Sequence, residues 1–139
     1  MTTVSKETAT LLIQISFLLG AVTDGFAIIP MLSHRVGVAL FGGGSSGNST
    51  EYRYAMGIAA SLMAGWTLLL LWGAANPIER RDILLLTVFP VITGIVLATV
   101  FAVRHRDVLL SRVIPLWIHL GIVSLLYAVS YILSIPFAS

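Results

Sequence analysis

The sequence predicts an all-α integral membrane protein, with four transmembrane helices in an up-down-up-down bundle. Three observations lead there. Of its 139 residues 58% are hydrophobic and only 10% are charged, whereas soluble domains carry roughly a quarter charged residues. A soluble domain this small could not hide so much apolar surface. The apolar residues fall in four runs, each close to the ~20 residues that cross a bilayer core of ~30 Å. The breaks after the second and third runs are short, so neighbouring helices run antiparallel. The chain thus reads as one transmembrane domain, 1–139, with spans near 8–32, 52–75, 82–103 and 113–135.

The first run, Ala9 to Met31, contains Asp24, the one formal charge well inside an apolar run. An acid within a membrane span is costly and therefore has a partner or a task. Lys6 and the Leu19-Gly20-Ala21 step mimic a signal peptide. The apolar run continues past the usual ~7–15 residues of a signal core, so it reads as a retained span. Thr8 is the expected N-cap, and Pro30 is expected to kink or end the helix near Phe26 to Ile29. At ~100° per residue, Thr10, Gln14, Ala21, Asp24 and Gly25 form an inward arc. Ile13, Phe17 and Leu18 are assigned elsewhere.

Val36 to Phe41 is a short apolar strip for the interface, followed by the linker Gly42 to Thr50. The linker lacks the lysine a phosphate loop needs, Asn48 standing in its place. Asn48-Ser49-Thr50 matches a glycosylation acceptor. In the second span Gly57, Ser61 and Gly65 recur every four residues, a small-residue face expected to pack on another helix. Tyr52, Tyr54 and Trp72 mark its ends as an aromatic belt, and the mid-span Trp66 needs a partner for its indole N–H. Asn76-Pro77 ends this span and Asp82 is placed to cap the third.

Pro90 frees the Leu86 carbonyl and should bend the third span, with Thr87 near enough to help satisfy it. Gly94, Ala98 and Ala102 form a second small-residue face. In the fourth span Trp117, Gly121, Ser124, Ala128 and Tyr131 alternate by four and three, a packing seam. Helix packing is therefore assigned to Gly57, Ser61, Gly65, Gly94, Ala98 and Gly121.

Matching depth across the spans places Ser61, Ser124 and, nearer the surface, His119 beside Asp24, with Gln14, Thr67, Thr87, Tyr127 and Tyr131 in the other leaflet. The candidate ligand or proton site is accordingly Asp24, Ser61, Ser124, His119, Gln14 and Tyr127. His34, His105 and His119 lack companions three or four residues away, so neither a metal nor a cofactor is expected. Absent cysteine excludes disulfides, thiolate metal sites and cysteine nucleophiles. The net charge of +2 is scattered, which speaks against a nucleic-acid partner.

Arg35, Arg53, Arg104, Arg106 and Arg112 lie in the first and third loops, against Lys6, Arg80 and Arg81 elsewhere. That bias places 33–51 and 104–112 in the cytoplasm and both termini outside a plasma membrane. The functional expectation is a non-enzymatic membrane protein that packs as a bundle and binds a partner or a lipid-like ligand. The alternative is a small proton- or cation-coupled carrier, working as a dimer, with Asp24 as the coupling acid. A membrane enzyme or redox subunit using Asp24, His119 and Tyr127 is the third reading. The bilayer, a second copy or a membrane protein are the expected partners.

Overall fold

The computed structural model describes residues 5–41 and 49–137, and among them there is no strand. The helices are α1 (Lys6–Leu32), α2 (His34–Phe41), α3 (Thr50–Ala75), α4 (Asp82–Leu86), α5 (Thr93–Arg104) and α6 (Leu110–Ser134). A π-helical stretch, Thr87–Ile92, joins α4 to α5, and a 3₁₀ turn, Ile135–Phe137, follows α6. Four helices are long and apolar enough to cross a membrane: α1, α3, the α4–α5 unit over Asp82–Arg104, and α6 with its 3₁₀ turn. Large apolar side chains face outward along all four, among them Ile15, Leu62, Leu97 and Ile122. Apolar surface on that scale is what a bilayer covers and water does not tolerate. The chain is an all-α, four-helix membrane protein.

Each helix end has a local cause. Ser5, rather than the expected Thr8, caps α1, its hydroxyl accepting from the Thr8 N–H at 3.2 Å. Pro30 does not end α1. The helix runs on to Leu32, because a proline this near the C-terminus removes few bonds. The chain then turns into α2, whose buried Gly37 sits against the Pro30 carbonyl; a Cβ there would be 2.9 Å from that oxygen. Ser49 caps α3 by accepting from the Tyr52 N–H at 3.2 Å. The linker residues 42–48, Asn48 of the glycosylation pattern included, lie outside the described residues.

Asp82 occupies the first turn of α4 and makes no side-chain cap bond. A helix N-terminus still favours its charge. Pro90 produces the π-helical stretch, a common way to absorb a missing donor. Thr87 Oγ1 donates to the Ile83 carbonyl at 2.8 Å, not to Leu86 as expected, and Thr93 Oγ1 donates to Val88 at 2.9 Å. Both hydroxyls bond back along their own helix, the ordinary habit of threonine in membrane spans. α5 closes with a Schellman motif. The Arg106 N–H meets the Val103 carbonyl at 3.1 Å and the Asp107 N–H meets Ala102 at 3.0 Å. Arg106 takes the left-handed conformation, φ 62°, that glycine usually supplies.

α1 is the centre of the bundle, with α3 on one side and α6 on the other, and α4 packs on α6. Its core includes Ile13, Phe17, Leu70, Leu84, Val123 and Tyr127. These residues cluster toward the end that holds the 76–81 turn, while α5 contributes no buried residue. The bundle is thus tightly packed in one half and looser in the other.

The seams differ from those expected. Ile13 and Phe17 are 0% exposed and share the face of Asp24. Phe17 is seven residues from Asp24, nearly two full turns, so it belongs on that face. In α6 the buried residues are Val113, Leu120, Val123, Tyr127, Ser130 and Ser134, a heptad repeat one step away from the Trp117–Gly121–Ser124 line. Gly57, Gly65, Gly94 and Gly121 face open space among the described residues: a Cβ added to any of them meets nothing there within 4 Å. Ser61 and Ala98 are exposed too. The close approaches are made by Gly20 and Gly73. A Cβ at Gly73 would lie 2.6 Å from Phe17 Cε1, and one at Gly20 would strike the Tyr127 hydroxyl. Small residues do set the packing, but at positions where a bulky ring lies opposite.

Candidate functional site

The α1–α6 seam carries a file of polar side chains through the apolar bundle. At the packed end Arg81 Nη1 donates to the Ser134 carbonyl at 3.1 Å, and its guanidinium lies 5.5 Å from the Tyr131 ring centre. Ser134 Oγ donates to the Tyr131 carbonyl at 2.6 Å. One turn deeper Ser16 and Ser130, both 0% exposed, share a hydrogen bond of 2.8 Å across the seam. Next comes Tyr127, 1% exposed, its hydroxyl lodged in the notch left by Gly20. Asp24 is one turn beyond Gly20 on α1, ~6 Å along the helix from the level of the Tyr127 hydroxyl.

The pairs Ser16–Ser130 and Gly20–Tyr127 set an antiparallel register. Continuing it puts Asp24 level with Val123 and Ser124, and His119 level with Ile28, about one turn or ~6 Å farther along. Among the described residues three buried side-chain atoms have no hydrogen-bond partner in the chain: Asp24 Oδ2, Tyr127 Oη and His119 Nε2. Buried polar atoms normally find partners, and unpaired ones mark strain, a bound species or a chemical role. Tyr127 and Asp24 lie at successive turns of this register, and His119 about one turn farther along α6.

Of the six residues expected at the site, the structure sets Asp24 and Tyr127 at neighbouring turns of the α1–α6 register and His119 about one turn farther along, while Ser124 falls on the Trp117 line, one step off the buried seam. It does not bring Ser61 there. Ser61 is exposed and donates to the Gly57 carbonyl of its own helix at 3.0 Å. The α1–α3 register explains this. Phe17 meets Gly73 and Gly25 meets Thr67, so the α3 residues level with Asp24 are Trp66 and Thr67. By that register α3 begins well past the end of α1, so depth counted from the loop places Ser61 too deep. Gln14 belongs to the packed end, where its Nε2 approaches the Ala74 carbonyl at 3.5 Å.

Sequence reasoning missed Ser16, Gly20, Ser130 and Ser134. A signal was there: Ser16, Gly20 and Asp24 recur every four residues, and so do Ser130 and Ser134. The mid-span indoles find threonines. Trp66 Nε1 donates to Thr87 Oγ1 at 3.2 Å and Trp117 Nε1 to Thr99 Oγ1 at 2.8 Å, so each ties its helix to the third span.

The arrangement offers an imidazole, a carboxylate and a phenol in sequence, with serine hydroxyls leading from the phenol to the Arg81 end. A carboxylate can accept a proton or hold a small cation, and the phenol can donate to that carboxylate or coordinate beside it. Compared with protein families, curated proteins and solved structures, the chain matches none.

Proposed function

We propose that this chain is a small proton- or cation-coupled membrane carrier in which Asp24 is the binding acid and Tyr127 its partner. The observation that supports this reading is that two buried polar atoms without a hydrogen-bond partner among the described residues, Asp24 Oδ2 and Tyr127 Oη, lie at neighbouring turns of the polar α1–α6 seam. Ionisable residues that face a bundle interior commonly serve ion and proton pathways. A purely structural Asp24 would be tied to neighbouring hydroxyls. Here Ser61, the hydroxyl expected to hold it, bonds to its own backbone instead. Asp24 also lies where the packed half of the bundle gives way to the looser half around α5, which favours access from one side. His119 and the serine file extend the polar line either way from it. The arginine bias favours a plasma membrane with both termini outside. The outward small-residue faces of α5 and α6 leave room for the second copy that a dimeric carrier needs.

The test is proton flux into proteoliposomes loaded with a pH-sensitive dye. Asp24→Asn should abolish flux while leaving the fold intact, because the amide keeps the shape and cannot titrate. Tyr127→Phe should slow it. Wild-type flux in Asp24→Asn would overturn the proposal.

A further inference from the structure

A second site lies at the opposite surface from the 76–81 turn, away from the Asp24 seam. Where α1 ends and α3 begins, the chain forms a partly open pocket of about 200 Å³. His34, Tyr52 and Arg53 line its polar side, and Met31, Met56 and Gly57 its apolar side. Tyr52 and Tyr54 place this level at the membrane interface, where amphipathic rings collect. The cavity is therefore polar toward the headgroups and apolar toward the acyl chains.

Its charge is one-sided. Arg53 forms no ion pair among the described residues, and Arg35 follows His34 directly. The nearest acid in sequence, Glu51, is two residues before Arg53, about 200° around the helix and so on the other face. A guanidinium fork suits a phosphate, and a tyrosine hydroxyl can add a third donor. Below the cavity the wall continues as Gly57, Ser61 and Gly65, every fourth residue on from Arg53. Gly57 and Gly65 have open space where a side chain would be, Ser61 is exposed, and Ile58 and Leu62 stand out beside them at 46% and 71% exposure. This makes a shallow groove running ~12 Å into the bilayer from the cavity floor. It accounts for the small-residue face that packs on no helix of this chain.

We propose that the cavity holds the phosphate headgroup of an anionic phospholipid, with one acyl chain lying along Gly57, Ser61 and Gly65. Basic pockets at helix ends on the positively charged side recognise such headgroups. This proposal is independent of the role of Asp24.

The experiment is native mass spectrometry of the detergent-purified protein, titrated in parallel with phosphatidylglycerol, phosphatidylcholine and inorganic phosphate. Phosphatidylglycerol should be retained and phosphatidylcholine should not. Arg53→Gln should weaken phosphatidylglycerol at least about fivefold, the scale of one arginine at a lipid surface. Arg104→Gln, an exposed charge at the C-terminal end of α5, should leave it unchanged. Gly65→Leu should weaken it by filling the groove, and a normal unfolding midpoint would show that the fold is intact. Equal loss in Arg53→Gln and Arg104→Gln would mean diffuse attraction and overturn the site. Retention unaffected by Arg53→Gln would overturn it too. Binding of inorganic phosphate as tight as that of the lipid would assign the pocket to a free anion and refute the acyl groove.

Discussion

Gly73→Ala adds one methyl where there is no room. The new Cβ would stand 2.6, 2.8 and 3.0 Å from Phe17 Cε1, Cζ and Cδ1, against a comfortable carbon–carbon separation of ~3.5–4.0 Å. Something must move by about 1 Å. Phe17 is 0% exposed and lies in the core, so its ring has nowhere to swing, and α1 and α3 must separate instead. Overpacking of this kind costs ~1–3 kcal/mol. Replacing glycine by alanine within a helix returns ~0.5–1 kcal/mol through lower backbone entropy in the unfolded chain. Gly65→Ala supplies the control. It lies in the same helix, gains the same backbone term, and meets nothing within 4 Å. The difference between the two variants isolates the steric term, so Gly73→Ala should be less stable than Gly65→Ala by ~1–3 kcal/mol. SDS-driven unfolding in mixed micelles, followed by circular dichroism, measures both midpoints. Equal midpoints would refute the claim that α1 and α3 meet at Gly73 and Phe17.

Three further outcomes are expected. Ser16→Ala and Ser130→Ala, alone and combined, should show a coupling of about 0.6 kcal/mol, typical of interhelical hydrogen bonds in membranes; strict additivity would remove that bond from the account. Thr87→Val should destabilise by about 1 kcal/mol and shift Trp66 fluorescence, since the indole N–H loses its acceptor; an unchanged spectrum would mean that Trp66 is not held by Thr87. Cysteines at Glu79 and Asp107 should label from opposite sides of the membrane, and labelling from one side would sink the span assignment between them.

The four long apolar helices were legible in the sequence because length and apolarity are what a bilayer demands. Pro90 was legible as a disturbance, though not as a π-helical stretch. The inward faces were much harder to read. In water an apolar stripe marks the core, but in a membrane the outside is apolar too, so Leu62 and Leu70 look alike although one faces outward and the other is buried. Small residues were the remaining guide, and they mark any groove, whether a helix, a lipid or nothing fills it. Gly73 opposite Phe17 is a packing contact and Gly57 is not, and only the ring on the neighbouring helix decides which. Asp24 and Tyr127 were legible individually as polar groups in apolar surroundings. Their adjacency was not, because it depends on the α1–α6 register set by Ser16, Gly20 and Ser130. The misplaced Ser61 has the same origin, since α3 overshoots the end of α1.

The central claim is that Asp24 is a titrating acid coupled to Tyr127 inside the bundle. Infrared titration of the protein in lipid nanodiscs addresses it directly, through the carbonyl stretch of the protonated carboxyl. That band should be missing in Asp24→Asn, and its titration midpoint should move in Tyr127→Phe, which removes the hydroxyl beside it. A band that survives in Asp24→Asn, or a midpoint indifferent to Tyr127→Phe, would contradict the account.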